Sequence, residues 1–216
     1  MTDIEDTSSR EENTSRRRIL DCAARLFRFK GYGATSLRDI AAESGMKAGS
    51  LYYHFASKDE IVIDILNIGV ERVHETVGTA VGALPKTASY ADIIGVAIHA
   101  HLRALHEADD YTSANVRIFG QVPESVREAH LSIRRAYEET WLKLLTAAFD
   151  AGALRPDMEP QLLLALLLSS LNATLEWFDP KKGPVERIAA TFSELVMHGA
   201  LEEASAEQSK RRIAHA

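Results

Sequence analysis

Residues 49–60 read GSLYYHFASKDE. Tyr52, Tyr53 and His54 stand side by side, with Ala48, Gly49 and Ser50 before them and Lys58 after. Flat rings with polar tips suit one kind of chemistry. A phenol O–H or an imidazole N–H can donate to a phosphate oxygen, and a ring face can lie on a thymine methyl. Arg38 and Lys47, upstream, would add a forked donor and a point charge. Taken alone, the run YYHF favours a packed core, because aromatic runs on helices are more often interior than ligand surface. Catalytic chemistry has little to draw on: the sequence shows no glycine-rich phosphate loop, nucleophile elbow or metal dyad. No enzyme activity, cofactor or metal is therefore expected. The one cysteine, Cys22, falls on the apolar side of a helical pattern, where packing is its expected role.

Those side chains need a frame, and the flanking sequence supplies one. From Ser15, apolar residues Ile19, Leu20, Ala23, Leu26 and Phe27 recur at helical spacing until Gly31. Ser36-Leu37-Arg38-Asp39 has the form of a capping box, Leu37, Ile40 and Ala41 make an apolar stripe, and Gly45 stops the helix. A short helix is expected from about Lys47 to His54. Residues 36–54 thus read helix, glycine turn, helix. On that last helix Leu51 and Phe55 are four apart and face inward together, which leaves Tyr52, Tyr53 and His54 outside. Ser57 to Glu60 forms a second capping box opening a long helix that ends near Pro85. Helical patterns follow at about 90–109, 111–120, 123–152, 159–178 and 184–203, with no convincing strand. The expected class is all-α, with about nine helices.

Charge is divided unevenly. The 216 residues carry a net charge of −6, yet Asn13 to Lys58 holds nine Lys/Arg against three Asp/Glu, a local +6 that leaves −12 elsewhere. A basic segment on an acidic body fits a part that meets a polyanion while the rest avoids it. The longest apolar run, Leu162 to Leu171, is too short for a membrane span and reads as buried helix. The acidic N-terminus lacks an apolar stretch and is no signal peptide. A single cysteine excludes an internal disulfide and fits a reducing cytoplasm.

The stretch GYGATSLRDIAAESGMKAGSLYYHFASKDEIVIDIL resembles the DNA-binding domain of TetR-family bacterial transcriptional regulators, over roughly residues 15–66. The resemblance implies three N-terminal helices joined by a fourth to a helical ligand-binding and dimerisation bundle. It divides the chain into a helix-turn-helix domain (13–60) and a ligand and dimer domain (61–203), flanked by a polar, charged arm (1–12) expected to be disordered and a polar tail (204–216) expected to be flexible. It implies DNA contacts at Arg38, Lys47, Ala48, Gly49, Ser50, Tyr52, Tyr53, His54 and Lys58. Lys47 departs from the serine or threonine that many members carry as a helix cap, so a cap hydroxyl is missing at a cost of roughly 1 kcal/mol.

In the remaining two-thirds the last two helices carry more apolar surface than one face can bury: Leu162, Leu163, Leu166, Leu167, Leu171, Ile188, Phe192, Leu195 and Val196. In the resembled family these helices form a four-helix dimer interface, which would set two recognition helices about 34–36 Å apart for an inverted-repeat operator. Large side chains with polar tips are the candidates for an effector pocket: Arg103, Tyr111, Phe119, Tyr137, Trp141, Asn172 and Trp177, with His99, His106, Arg117, Phe149 and Glu176 behind them. His99, Arg103 and His106 share a helix face and read better as a solvated stripe than as a clamp for an acidic ligand or, with His101, as a metal site. Trp141 and Trp177 suit core somewhat better than ligand shelf. LEWFDPKKGPVERI resembles a turn in TetR-type repressors of steroid and lipid catabolism, some of which respond to acyl-CoA thioesters. Lys181 and Lys182 would then meet CoA phosphates or simply be exposed loop lysines. The implied function is a ligand-released repressor; a ligand-independent architectural DNA-binder is the alternative.

Overall fold

The computed structural model describes residues 2–108 and 110–200, with side chains over 13–107 and 110–199. Nine α-helices and no strand occur among them: α1 (Thr2–Lys30), α2 (Leu37–Glu43), α3 (Ala48–His54), α4 (Lys58–Gly82), α5 (Tyr90–Arg103), α6 (Asp110–Ile118), α7 (Glu124–Asp150), α8 (Pro160–Trp177) and α9 (Val185–Ala200). The all-α expectation holds. Helix α1 is assigned from Thr2, where the sequence suggests an arm, and the tail expected from 204 lies outside the described residues. The pattern read as one helix over 90–109 changes character after Arg103, where a π-helical turn, Ala104–Ala108, takes over.

The start signals act as the residue chemistry dictates. Ser36 Oγ accepts from the Asp39 N–H at 3.2 Å, and Asp39 accepts from the Ser36 N–H at 2.8 Å. At α4 the box is modified. Glu60 N–H donates to Ser57 Oγ at 3.2 Å, but the Glu60 carboxylate accepts from Ala56 N–H, not from Ser57. Glutamate is one methylene longer than aspartate and reaches one residue further back. A third box, Ser89 with Asp92, opens α5. Gly31 and Gly45 both end helices with positive φ, +80° and +67°, a region costly to any residue with a Cβ.

The chain forms two compact units. The first comprises residues to Glu75 together with Ala104–Tyr137; the second comprises Thr76–Arg103 and Glu138 onward. In the first, α1 packs on α2 and α6. Ile19, Leu20, Ala23 and Phe27 of α1 close a core with Ile40 and Ala41 of α2, Leu51 and Phe55, Ile61 and Ile65 of α4, and Tyr111, Ala114 and Ile118 of α6. Each fully buried Leu, Ile or Phe side chain contributes about 1.5–3 kcal/mol. Two ion pairs brace this packing: Arg16 with Asp64, and Arg28 with Asp110 at 2.7 Å.

In the second unit α5 packs against α9 and, more lightly, α8. Helix α8 corrects one expectation. Its leucine run is not buried all round: Leu163, Leu167 and Leu171 face the core, whereas Leu162 and Leu166 are exposed. Spacing of four residues places each set on its own side. No described helix is long and apolar enough to cross a membrane.

Candidate functional site

Helix α3 is held from beneath and bare above. Leu51 and Phe55 are fully buried, while Tyr52 and Tyr53 are 57% and 74% exposed. Two large apolar side chains on one face therefore fix the helix, and two phenols stand on the other. Lys47, Ala48, Gly49 and Ser50 are exposed around its first turn. Lys47 is the N-cap residue and makes no side-chain cap bond, as its type requires. Arg38 is exposed on α2. The turn joining the two helices is set by Gly45, where a Cβ would stand 2.8 Å from the Arg18 guanidinium. Seven of the nine expected DNA-contacting residues, Arg38, Lys47, Ala48, Gly49, Ser50, Tyr52 and Tyr53, are thus exposed to solvent, and His54 is half-buried.

His54 and Lys58 are placed differently from the rest. The His54 ring packs edge-on against Tyr53 at 5.2 Å, and its Nδ1 is buried with no hydrogen-bond partner. Lys58 turns inward: its ammonium donates to the Tyr32 carbonyl and sits 3.7 Å from the centre of the Tyr32 ring. Burial lowers its pKa. The local +6 is also less available than the sequence suggests. Arg16, Arg17, Arg25 and Arg28 are paired with Asp64, Asp21, Glu43 and Asp110, while Arg18, Lys30, Arg38 and Lys47 are exposed.

The effector candidates are scattered. Tyr111 belongs to the core of the first unit, where its hydroxyl donates to Asp21 at 2.6 Å and the Arg72 guanidinium covers its ring at 4.4 Å. Burial pushes its pKa up. Phe119 lies under Arg134 at 4.4 Å, and Tyr137 is buried against His74. These three are engaged by packing and by partners within their own unit. In the second unit Trp141 is buried beside His101, whose Nε2 lies 3.1 Å from Asn172 Oδ1. The Trp141 Nε1 is buried and without a hydrogen-bond partner. Arg103 and His99 line a cavity of about 760 Å³ between α5 and α9. Trp177 is 59% exposed and borders a smaller cavity of about 330 Å³ with Lys182 and Arg187. Cys22 is half-buried, with its thiol pKa raised chiefly by burial.

The family model for bacterial regulatory proteins of the tetR family matches residues 19–65, and that for the tetracyclin repressor-like C-terminal domain matches residues 87–200. The chain belongs to the TetR family. Among its TetR-family relatives, the HTH-type transcriptional repressor KstR2 of Rhodococcus jostii is 30% identical over 207 residues, covering 90% of this chain and 94% of the relative. The solved TetR-family regulator PfmR from Thermus thermophilus superposes with a TM-score of 0.72 at 28% identity, over 87% of this chain and 97% of that one. The ketosteroid transcriptional regulator KstR2 of Mycobacterium tuberculosis also gives 0.72, at 25% identity over 87% and 95%.

Two features of this TetR-family chain have no signal in the sequence. His130, fully buried, is bonded on both ring nitrogens, at 2.8 Å to Asn67 Oδ1 and 3.2 Å to Asn115 Nδ2. Ser193 of α9 is buried with its hydroxyl unpartnered. A histidine or serine inside an amphipathic pattern carries no local sign of its partners, which come from other helices.

Proposed function

We propose that the protein is a DNA-binding transcriptional repressor that acts as a homodimer on an inverted-repeat operator and is released by a small, largely apolar effector. One observation carries the reading: Tyr52 and Tyr53 stand open on a short helix whose other face is sealed by Leu51 and Phe55. A core role for these rings is incompatible with that exposure. The phenols are free to approach phosphates and base edges, while Gly49 and Ser50 let the helix backbone come close to the groove. Arg38 and Lys47, both exposed, contribute cations.

Dimerisation is supported by the exposed apolar side chains Leu162, Leu166 and Trp177 on α8 and Leu195 on α9. Exposed apolar side chains of this size on both helices suit burial against a second copy. Release by an effector requires a ligand that prefers the conformation unsuited to DNA, by the differential affinity alone. The relatives named KstR2 are repressors, one of them called a ketosteroid regulator, and that favours repression and a hydrophobic catabolite.

Fluorescence anisotropy with labelled duplexes from the DNA flanking the gene tests the reading. The expected result is tight, saturable binding to one inverted repeat and weak, salt-sensitive binding to a scrambled duplex. Equal affinity for both at physiological salt would establish the architectural DNA-binder instead.

A further inference from the structure

The cavity between α5 and α9 has features of a built binding site. It is an open groove of about 760 Å³, a volume within the range of small-molecule pockets, and lies wholly in the second unit. Along α5 it follows Ala91, Gly95, His99 and Arg103, one residue every turn, so the groove runs roughly 18 Å. Its walls are chiefly apolar, with Leu84, Val96 and Met197 among them. Gly95 admits α9 closely: a Cβ there would meet Met197 Cε at 3.2 Å.

One polar atom in this lining is unaccounted for. Ser193 is 7% exposed, and its hydroxyl is buried with no hydrogen-bond partner. A helical serine ordinarily returns its hydroxyl to the carbonyl four residues back, as Thr191 does to Arg187 at 3.0 Å. Ser193 does not, and it lines the groove. An unsatisfied buried hydroxyl is costly, and a ligand group that meets it would relieve the cost. Glu186 and Met197 lie on the same side of α9 as Ser193, whereas Leu195 falls about 180° round the helix. A second copy seated on Leu195 would therefore leave the groove uncovered.

We propose that the α5–α9 groove binds a neutral, elongated, mostly apolar molecule whose one hydroxyl or carbonyl group hydrogen-bonds to Ser193. Charge selects against an acid: Asp92 and Glu186 in the lining oppose the single guanidinium of Arg103. The site rests on the second unit's geometry and not on DNA binding, although it would serve as an effector site for the repressor described above.

Isothermal titration with 1-decanol, 2-decanone and decanoate tests this on the full chain, alongside Ser193→Ala and Ala91→Phe. The expected result is saturable binding of the alcohol and ketone, weaker binding of decanoate, roughly 3- to 10-fold weaker alcohol binding in Ser193→Ala, and no binding in Ala91→Phe. Ser193→Ala should also melt at a higher temperature than the parent without ligand, because it removes an unsatisfied hydroxyl; a folding defect would lower it. Binding that neither substitution changes, tighter binding of decanoate, or no binding of any probe overturns the inference. Operator anisotropy in the same samples separates the two proposals. Ligand binding without operator release leaves the groove standing and removes only its effector role.

Discussion

Acidification should destabilise this protein through His130, and the hydrogen-bond geometry fixes the sign. Asn115 Nδ2 donates to the Leu66 carbonyl at 2.8 Å and also lies against His130 Nε2, so Nε2 must accept. The other ring nitrogen, Nδ1, donates to Asn67 Oδ1. The neutral ring with its proton on Nδ1 satisfies every partner. A second proton, on Nε2, would point at an N–H donor. Burial, and then the positive charge of Arg134, hold the pKa down to about 4, from an ordinary 6.5. The unfolded chain therefore takes up this proton near pH 6.5 and the folded chain only near 4. Stability from this group is complete above about pH 6.5 and is lost as the pH falls towards about 4, by roughly 3 kcal/mol. His106, half-buried and also depressed to about 4 by burial and then Arg28, adds a smaller loss of the same sign. The assay is urea denaturation at fixed protein concentration from about pH 7 to about pH 4.5, for the parent and His130→Gln, whose amide does not titrate. The parent should lose stability more steeply than the variant across that window. Parallel curves would show that His130 titrates normally in the folded protein, and the hydrogen-bond assignment would be wrong.

Other expectations are shorter. Gly69→Ala places a Cβ 2.6 Å from the Tyr111 carbonyl oxygen and 2.9 Å from Asn115 Cβ, so it should cost about 1–3 kcal/mol in thermal unfolding despite a better helix propensity; a higher melting temperature would mean that α4 and α6 cross more loosely. Gly49→Ala meets nothing within 4 Å, so it should leave the fold intact or stabilise it by up to about 1 kcal/mol. The same substitution should weaken operator affinity in anisotropy titrations, and unchanged affinity would argue against close approach of α3 to the groove. Leu166→Glu, at an exposed position on α8, should convert a dimer to a monomer in light scattering with little change in far-ultraviolet circular dichroism; a persistent dimer would move the interface elsewhere.

The helix-turn-helix is legible in the sequence because its determinants are local. A serine and an aspartate three residues apart cap α2, a glycine ends it, and Leu51 with Phe55 four apart decide which way Tyr52 and Tyr53 point. Each is a relation between residues within one turn or two. The reach of a side chain is already harder: nothing near Lys58 in sequence signals that its ammonium turns back to the carbonyl of Tyr32, 26 residues earlier. The effector residues are harder still. Tyr111 stands out by its size and hydroxyl, but Asp21, 90 residues away on α1, binds that hydroxyl and makes it part of the packing between α1 and α6. Residue type sets the chemistry available to Tyr111, Trp141 and Asn172, and helix pairing decides whether a neighbour has already taken it up. Ser193 shows the converse. Its type promises nothing, yet α5 and α9 meet so that its hydroxyl, among the described side chains of that lining, is left buried and unpartnered. In a bundle whose helices are each readable one at a time, function beyond the recognition helix depends on which faces are apposed, and that is where an apolar ligand would have to compete.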